Sequence, residues 1–359
     1  MTARRFAEEL RKKGHEVRVI STGEAEPGKY LVPERHMPVV DYFSEKQSFL
    51  FAKPVDSVIR EAMEGADLVH LFLPMKLERR ALKIARELKI PCSAAFHLQP
   101  ENITYNIRMG NAQWLSSLIY FWMRKVFYDK FDHIHCPSHF IAQQLEEHHY
   151  RAKLHVISNG VTPEFRYRPK KREDGLFHIL MIGRLSPEKR QDLLLEAAKL
   201  SKYSGKIQLH FAGTGPREHA LKRQGAALVH KPTFGYYQKD ELLELIHSCD
   251  LYVHTSDAEI EAIACLEAVA CGLVPVISDS KKSATSQFSL DVRSTFAAGN
   301  ADDLARKIDY WVEHPQQKEE MAKAYVHSTK QYRIEQCVAA AEEMFAEVLR
   351  DAQRGGRQI

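Results

Sequence analysis

The sequence predicts an α/β protein built from two doubly wound domains, and three observations carry that prediction. Its 359 residues exceed what one hydrophobic core ordinarily organises. Short apolar runs alternate with amphipathic helical stretches, the rhythm of a mostly parallel sheet covered by helices on both faces. A charged stretch with proline and glycine, "YRPKKREDG" (167–175), interrupts that rhythm, which then restarts. The first domain is thus expected at 1–165 and the second at 176–326, with 327–359 returning to pack on the first.

In order, "ARRFAEELRKKGHEVRVIS" reads as a helix, a turn at Gly14 and a strand over 17–20. A doubly wound domain ordinarily opens on a strand before its first helix, whereas this sequence starts inside the helix. The first sheet is therefore expected to lack a strand near its centre, leaving 17–20 and a neighbour without a partner. Unpaired buried backbone costs about 1–3 kcal/mol per group. That predicts a poorly stable, weakly active chain unless upstream in-frame residues supply the strand and a Gly-rich turn.

Apolar runs at 66–74 and 90–98 flank a helix over 77–89, and Ser138 is placed to cap the helix in "FDHIHCPSHFIAQQLEE". "KLHVISNGV" closes this half, with Asn159 and Gly160 read as structural. The second half gives a strand over 177–183, a helix over 187–202, a strand over 207–213 and a helix over 216–224. Two further runs follow, "LYVHTS" and "LVPVIS", and "RIEQCVAAAEEMFAEVLRDA" is a long amphipathic helix.

Composition excludes several classes. A net charge of +4, spread through both halves, is too weak to argue for nucleic acid. The six cysteines (92, 136, 249, 265, 271 and 337) are isolated, without metal-ligand spacing, and read as reduced buried thiols of a cytosolic protein. No metal site is expected. No apolar run approaches the roughly 20 residues of a spanning helix, so the protein is expected to be soluble or to rest on a membrane surface.

Two motifs point to an anionic ligand. "IGRLSPEKRQDLLLEAA" puts Arg184 and Lys189 in a strand-to-helix loop, where open parallel sheets bind ligands near helix N-termini. A guanidinium that grips two oxygens and a mobile ammonium suit a diphosphate, although any surface loop carries such residues. The loop "AGTGP" adds Gly213 and Gly215, where backbone must come close to something; glycine also makes ordinary turns. In "DAEIEAIACLEAVACGLVPV" (257–276) the chain should turn through 257–260 and enter a helix near Ala262. The free amides there, including that of Ile263, would face an anion. Glu259 in the loop and Glu267 two turns into the helix should lie on roughly the same side. Carboxylates in this setting accept from the diols of a ribose or a hexose.

"GRLSPEK", "AGTGP" and Glu-x7-Glu followed by "LEAVACGLVPV" resemble the retaining glycosyltransferases of family 4. The resemblance implies the GT-B fold, two Rossmann-like domains facing a cleft with the C-terminal helix crossing back to the first. It implies that Arg184 and Lys189 bind the donor diphosphate, that Glu267 holds the ribose, that Glu259 contacts the transferred sugar, and that His97 stands beside the reacting sugar. The function implied is a retaining, metal-independent hexosyltransferase using a nucleoside diphosphate sugar such as UDP-glucose, with no other cofactor. Front-face transfer without a covalent intermediate goes with it. One departure is Glu261-Ala262, where many members have Phe-Gly, making the backbone less free. The other is the absent first strand with its glycine loop.

"WLSSLIYFWMRKVFYDKF" (114–131) interleaves aromatics with cations. It reads either as a core helix or as an interfacial one, with Trp114 and Trp122 entering the headgroup layer and Arg124 and Lys125 meeting anionic lipid. The second reading, and a similarity to bacterial lipid glucosyltransferases, imply a lipid or lipid-linked acceptor and a peripheral location on the inner face of the plasma membrane. Two alternatives stay open: a sugar-nucleotide epimerase of similar fold, and a non-catalytic nucleotide-sugar-binding subunit.

Overall fold

The structure is a computed structural model describing residues 2–34, 51–107, 109–110, 112–169 and 174–355. The centre of the expected linker, 170–173, lies outside the described residues. The chain divides into two compact units: Met1–Pro100, Ala112–Asn159 and Ile334–Ile359 form the first, and Glu101–Asn111 and Gly160–Arg333 the second. Among the described residues no helix is long and apolar enough to cross a membrane.

In the first unit β1 (Val19–Ser21) and β2 (Lys29–Leu31) pair in parallel as a separate two-stranded sheet. Strands β3 (Val69–Leu71), β4 (Cys92–Ala95), β5 (His133–Cys136) and β6 (Lys153–Val156) form a four-stranded parallel sheet in chain order. The expectation that the 17–20 strand has no partner is thus corrected, because β2 supplies its backbone bonds: Val19 donates to the Gly28 carbonyl at 2.8 Å and Val32 to that of Ser21 at 3.1 Å. Among the described residues, no strand joins this pair to β3. The helix Ile334–Gln353 buries Cys337, Val338, Ala341 and Met344 in one cluster with Phe6 of the first helix, and Glu342 pairs with His15 at 2.7 Å. The apolar face predicted for this helix therefore packs within the first unit.

The second unit holds a six-stranded parallel sheet. Strands β7 (Phe177–Ile182), β8 (Ile207–Ala212), β9 (Thr233–Gly235), β10 (Leu251–His254), β12 (Val274–Ser278) and β14 (Thr295–Phe296) lie in the order β14-β12-β10-β7-β8-β9. β11 (Ala258–Glu259) and β13 (Lys282–Ser283) pair separately. The chain leaves β7 toward one edge and returns beside it at β10 for the other. β7/β10 is therefore the switch point, and the loops after these two strands are where a doubly wound sheet binds its ligand. Both strands are almost wholly apolar, as strands buried on two faces must be.

The helix expected over 187–202 is broken. A 3-10 turn, Pro187–Lys189, is followed by Arg190 in the left-handed region (φ 52°), and the α-helix runs over Gln191–Leu200. The reason is tertiary: the buried Thr255 hydroxyl, just past β10, donates to the carbonyls of Lys189 (2.7 Å) and Arg190 (2.9 Å). These bonds fix the turn against the neighbouring strand end.

Candidate nucleotide-sugar site

The loop after β7 carries Arg184, half-buried, and Lys189. Burial lowers the Arg184 guanidinium's pKa, and no carboxylate among the described residues forms an ion pair with it. Lys189 is a loop residue, yet its side chain is only 18% exposed, because its ammonium pairs with Glu259, itself 11% exposed. Glu259 lies in β11, held by pairing with Ser283, and so is not on the helix that carries Glu267.

Glu259 has a second partner that sequence reasoning missed. His254, the last residue of β10, places Nε2 3.1 Å from the same Oε1, and its Nδ1 lies 3.0 Å from the Tyr252 hydroxyl. Burial lowers the His254 pKa even though Glu259 pulls it up. A neutral ring protonated on Nε2 donates to Glu259 and accepts from Tyr252, satisfying all three groups. The available signal was a histidine closing an otherwise apolar parallel strand.

Burial pushes the Glu259 carboxyl up, but Lys189 and His254 outweigh it and hold it at about 2. A carboxylate depressed on folding contributes stability that is complete above its unfolded pKa and is lost as pH falls through the folded one. Of the stability by which the wild type exceeds Glu259→Gln, about 2 kcal/mol should disappear between about pH 6 and pH 3. Urea denaturation at stepped pH checks this, and a constant gap would show that Glu259 carries no such shift.

Downstream of β11, Ala262 stands in the left-handed region (φ 61°, ψ 57°) and caps the helix Ile263–Ala270. A glycine would take that conformation at lower cost, so the departure at Glu261-Ala262 stores of order 1–2 kcal/mol of backbone strain. It also turns the chain abruptly enough for the helix to begin with backbone amides, Ile263 and Ala264, ahead of its first internal bonds. Glu267 is buried on this helix, and so is Glu261 before it.

The loop glycines have a packing reason. A Cβ on Gly213 would stand 2.1 Å from the Gly183 carbonyl oxygen, and one on Gly215 would stand 2.4 Å from that of Leu185. What comes close to these backbones is the loop that carries Arg184. Leu185 donates to the Thr214 carbonyl at 2.9 Å and Arg217 to that of Leu185 at 3.0 Å. Around the same loop Asp257 accepts from Arg190 at 3.3 Å and from the Tyr105 hydroxyl at 3.1 Å, a contact within the second unit absent from the sequence reading.

In the first unit His97 follows β4. Its ring stacks on Phe72 (centroids 5.3 Å apart, 13° between planes) and meets His135 edge-on. Burial first, then the neighbouring His135 and His70, hold its pKa well below the usual range, and its Nε2 is buried without a hydrogen-bond partner among the described residues. The helix Gln113–Val126 buries Ser116, Tyr120 and Met123. Its other face leaves Trp114 66% exposed and Leu118, Phe121 and Trp122 exposed at 54%, 52% and 50%. The segment thus has a buried face, as the core-helix reading expects, and an exposed apolar one. Arg124 is corrected: its Nη1 donates to the His148 and His149 carbonyls at 2.8 and 3.1 Å, so it is structural and turned away from any lipid. Lys125 remains exposed, paired with Asp129 at 3.0 Å.

Residues 1–165 match the family model described as Glycosyltransferase Family 4, and residues 164–327 that described as Glycosyl transferases group 1. The chain belongs to these glycosyltransferases. Over 289 residues this glycosyltransferase is 26% identical to the alpha-monoglucosyldiacylglycerol synthase of Streptococcus pneumoniae, covering 75% of this chain and 65% of that one. It is 28% identical over 294 residues to a GDP-mannose-dependent alpha-mannosyltransferase of Corynebacterium glutamicum, covering 76% and 66%. The chain thus spans about two thirds of the length of these relatives. Sucrose-phosphate synthase of Thermosynechococcus elongatus superposes over 97% of this chain and 92% of its own with a TM-score of 0.76 at 15% identity, a likeness of fold. The two Rossmann-like units are those of the GT-B class.

Proposed function

We propose that this glycosyltransferase moves a hexose from a nucleoside diphosphate sugar to the hydroxyl of a lipid or lipid-linked acceptor, with retention at the anomeric carbon. The observation that carries the reading is the Lys189–Glu259 pair at the β7/β10 switch point, with a half-buried Arg184 on the same loop that forms no ion pair among the described residues. A donor diphosphate takes Arg184, Lys189 and the amides of Ile263 and Ala264. These fixed charges and dipoles stabilise the leaving group as the glycosidic bond breaks, so the step needs no metal. Once Lys189 turns to phosphate, Glu259 is released to accept from sugar hydroxyls, and Glu267 accepts from the ribose. The family resemblance implies a polar role for His97 beside the reacting sugar.

Support for the substrate class comes from the relatives' names: one works with diacylglycerol, the other depends on GDP-mannose, and both are alpha-specific. The exposed face of Trp114, Leu118, Phe121 and Trp122 supports a lipid acceptor, since an apolar helix face of this kind suits the headgroup layer. Such an enzyme would work on the inner, cytoplasmic membrane surface, where nucleotide sugars are made.

The test incubates the chain with radiolabelled UDP- and GDP-sugars and a lipid extract, and follows label into the organic phase. Transfer from one donor, absent in Lys189→Ala, is the expected result. Donor binding without transfer would favour the non-catalytic subunit, and conversion of the donor to an isomeric sugar the epimerase. Absence of both binding and transfer would remove the reading.

A further inference from the structure

In the first unit, apart from the residues assigned to the donor, three elements bring together a set of metal-ligand side chains. His133 opens β5 and His155 lies on the adjacent β6, and the helix Ile334–Gln353 contributes Glu347 and, one turn later, Asp351. Within this parallel pair, with His133 opposite Lys153 and His135 opposite His155, alternation puts 133, 135, 153 and 155 on one face. On the helix, spacing of four puts both carboxylates on one side. One ligand atom from each of His133, His155 and Glu347 lies within 4.8 Å of the others. The contacts are already ordered as a metal centre needs. His133 Nδ1 lies 3.0 Å from His155 Nε2, while His133 Nε2 lies 3.3 Å from Asp351 Oδ2. A recess of about 470 Å³ lined by His155, Val156, Glu343, Met344, Glu347 and Arg350 opens beside them and gives an ion a way in.

We propose that His133, His155 and Glu347 bind a late first-row divalent cation, with Zn²⁺ the natural probe, and that Asp351 orients His133. Two imidazoles and a carboxylate are the donor set that such ions select. Ligand atoms around tetrahedral Zn²⁺ stand about 3.4 Å apart at bond lengths of about 2.0–2.1 Å, so small side-chain rotations close the observed spacing. His133 then coordinates through Nδ1 and donates its Nε2 proton to Asp351, the carboxylate–histidine arrangement that fixes a ligand's tautomer. The competitor is Lys153, whose ammonium pairs with Glu347. It is more than half exposed, and a divalent ion displaces it into solvent. The ion would tie the helix Ile334–Gln353 to the edge of the four-stranded sheet, a stabilising role separate from donor chemistry.

The test uses the full chain, stripped with a chelator and dialysed, titrated with ZnCl₂ by calorimetry, with melting temperature as a second readout. One tight equivalent and a raised melting temperature are expected. His155→Gln and Glu347→Gln should each remove that equivalent, and Asp351→Asn should weaken it by about 10–100-fold. Lys153→Ala should tighten binding, a change that a purely hydrogen-bonded Asp351–His133–His155 chain would not produce. His149→Gln is the control for scattered surface histidines and should change nothing. No tight equivalent in the wild type, or an equal one in His155→Gln and Glu347→Gln, overturns the proposal. Nucleotide affinity should be the same with and without Zn²⁺, so failure here leaves the donor site standing.

Discussion

Lys189→Ala is expected to lose transfer activity by about 10²–10³-fold, the usual effect of deleting one preorganised donor to a developing anion. It should also lose about 1.5–3 kcal/mol of stability, the worth of a charge-assisted bond, because Glu259 is left buried with His254 alone. The second effect is the structure's addition, since an exposed lysine would cost nothing. Burial is the main cause that lowers the His254 pKa, and removing the lysine takes away a lesser one, so the histidine should take up a proton more readily. Arg184→Ala should weaken donor binding by a similar amount with a smaller stability loss, because the buried Glu188 that attracts it electrostatically forms no ion pair with it. Calorimetry with a nucleoside diphosphate, alongside urea denaturation, separates the two. Unchanged nucleotide affinity in both variants would move the ligand away from this switch point.

Replacing Trp114 and Trp122 with serine should reduce binding to anionic vesicles by at least about 100-fold, since each indole withdraws apolar area worth about 25 cal/mol per Å². Far-UV circular dichroism should stay unchanged, because both rings are at least half exposed. Lys125→Gln should give a smaller loss that vanishes as salt rises and screening shortens to about 10 Å at 0.1 M. Arg124→Gln should instead destabilise the first unit, because it frees the carbonyls of His148 and His149. Vesicle binding that survives the double tryptophan change would mean that this face meets something other than lipid.

The contrast between Arg124 and Lys125 shows how far the sequence could be read. Spacing put Trp114, Trp122 and both cations in one helix, but which cation turns inward depends on carbonyls 24 residues away. Arg184, Lys189, Glu259 and Glu267 were legible because they sit where chain order alone puts strand ends and a helix start. Glu259's partners were not legible, since a buried strand conceals which way His254 points until β11 is placed beside it. The break at Arg190 was hidden too, because Thr255, which causes it, lies 65 residues further on. Strands of two or three residues, such as β9, β11 and β14, gave no periodicity to detect. The His133–His155–Glu347 group escaped because its members come from three elements, with no spacing that a motif would contain.

The proposed donor site divides its labour, with Arg184 and Lys189 on the diphosphate, Glu267 on the ribose and Glu259 on the hexose. Calorimetric titration of Glu259→Gln and Glu267→Gln with a nucleoside diphosphate and with its sugar conjugate tests it directly. Glu267→Gln should weaken both ligands alike. Glu259→Gln should leave the bare diphosphate bound as well as before, or more tightly because Lys189 is set free, and should lose only the increment added by the sugar. Equal losses in the two variants for both ligands would contradict the division.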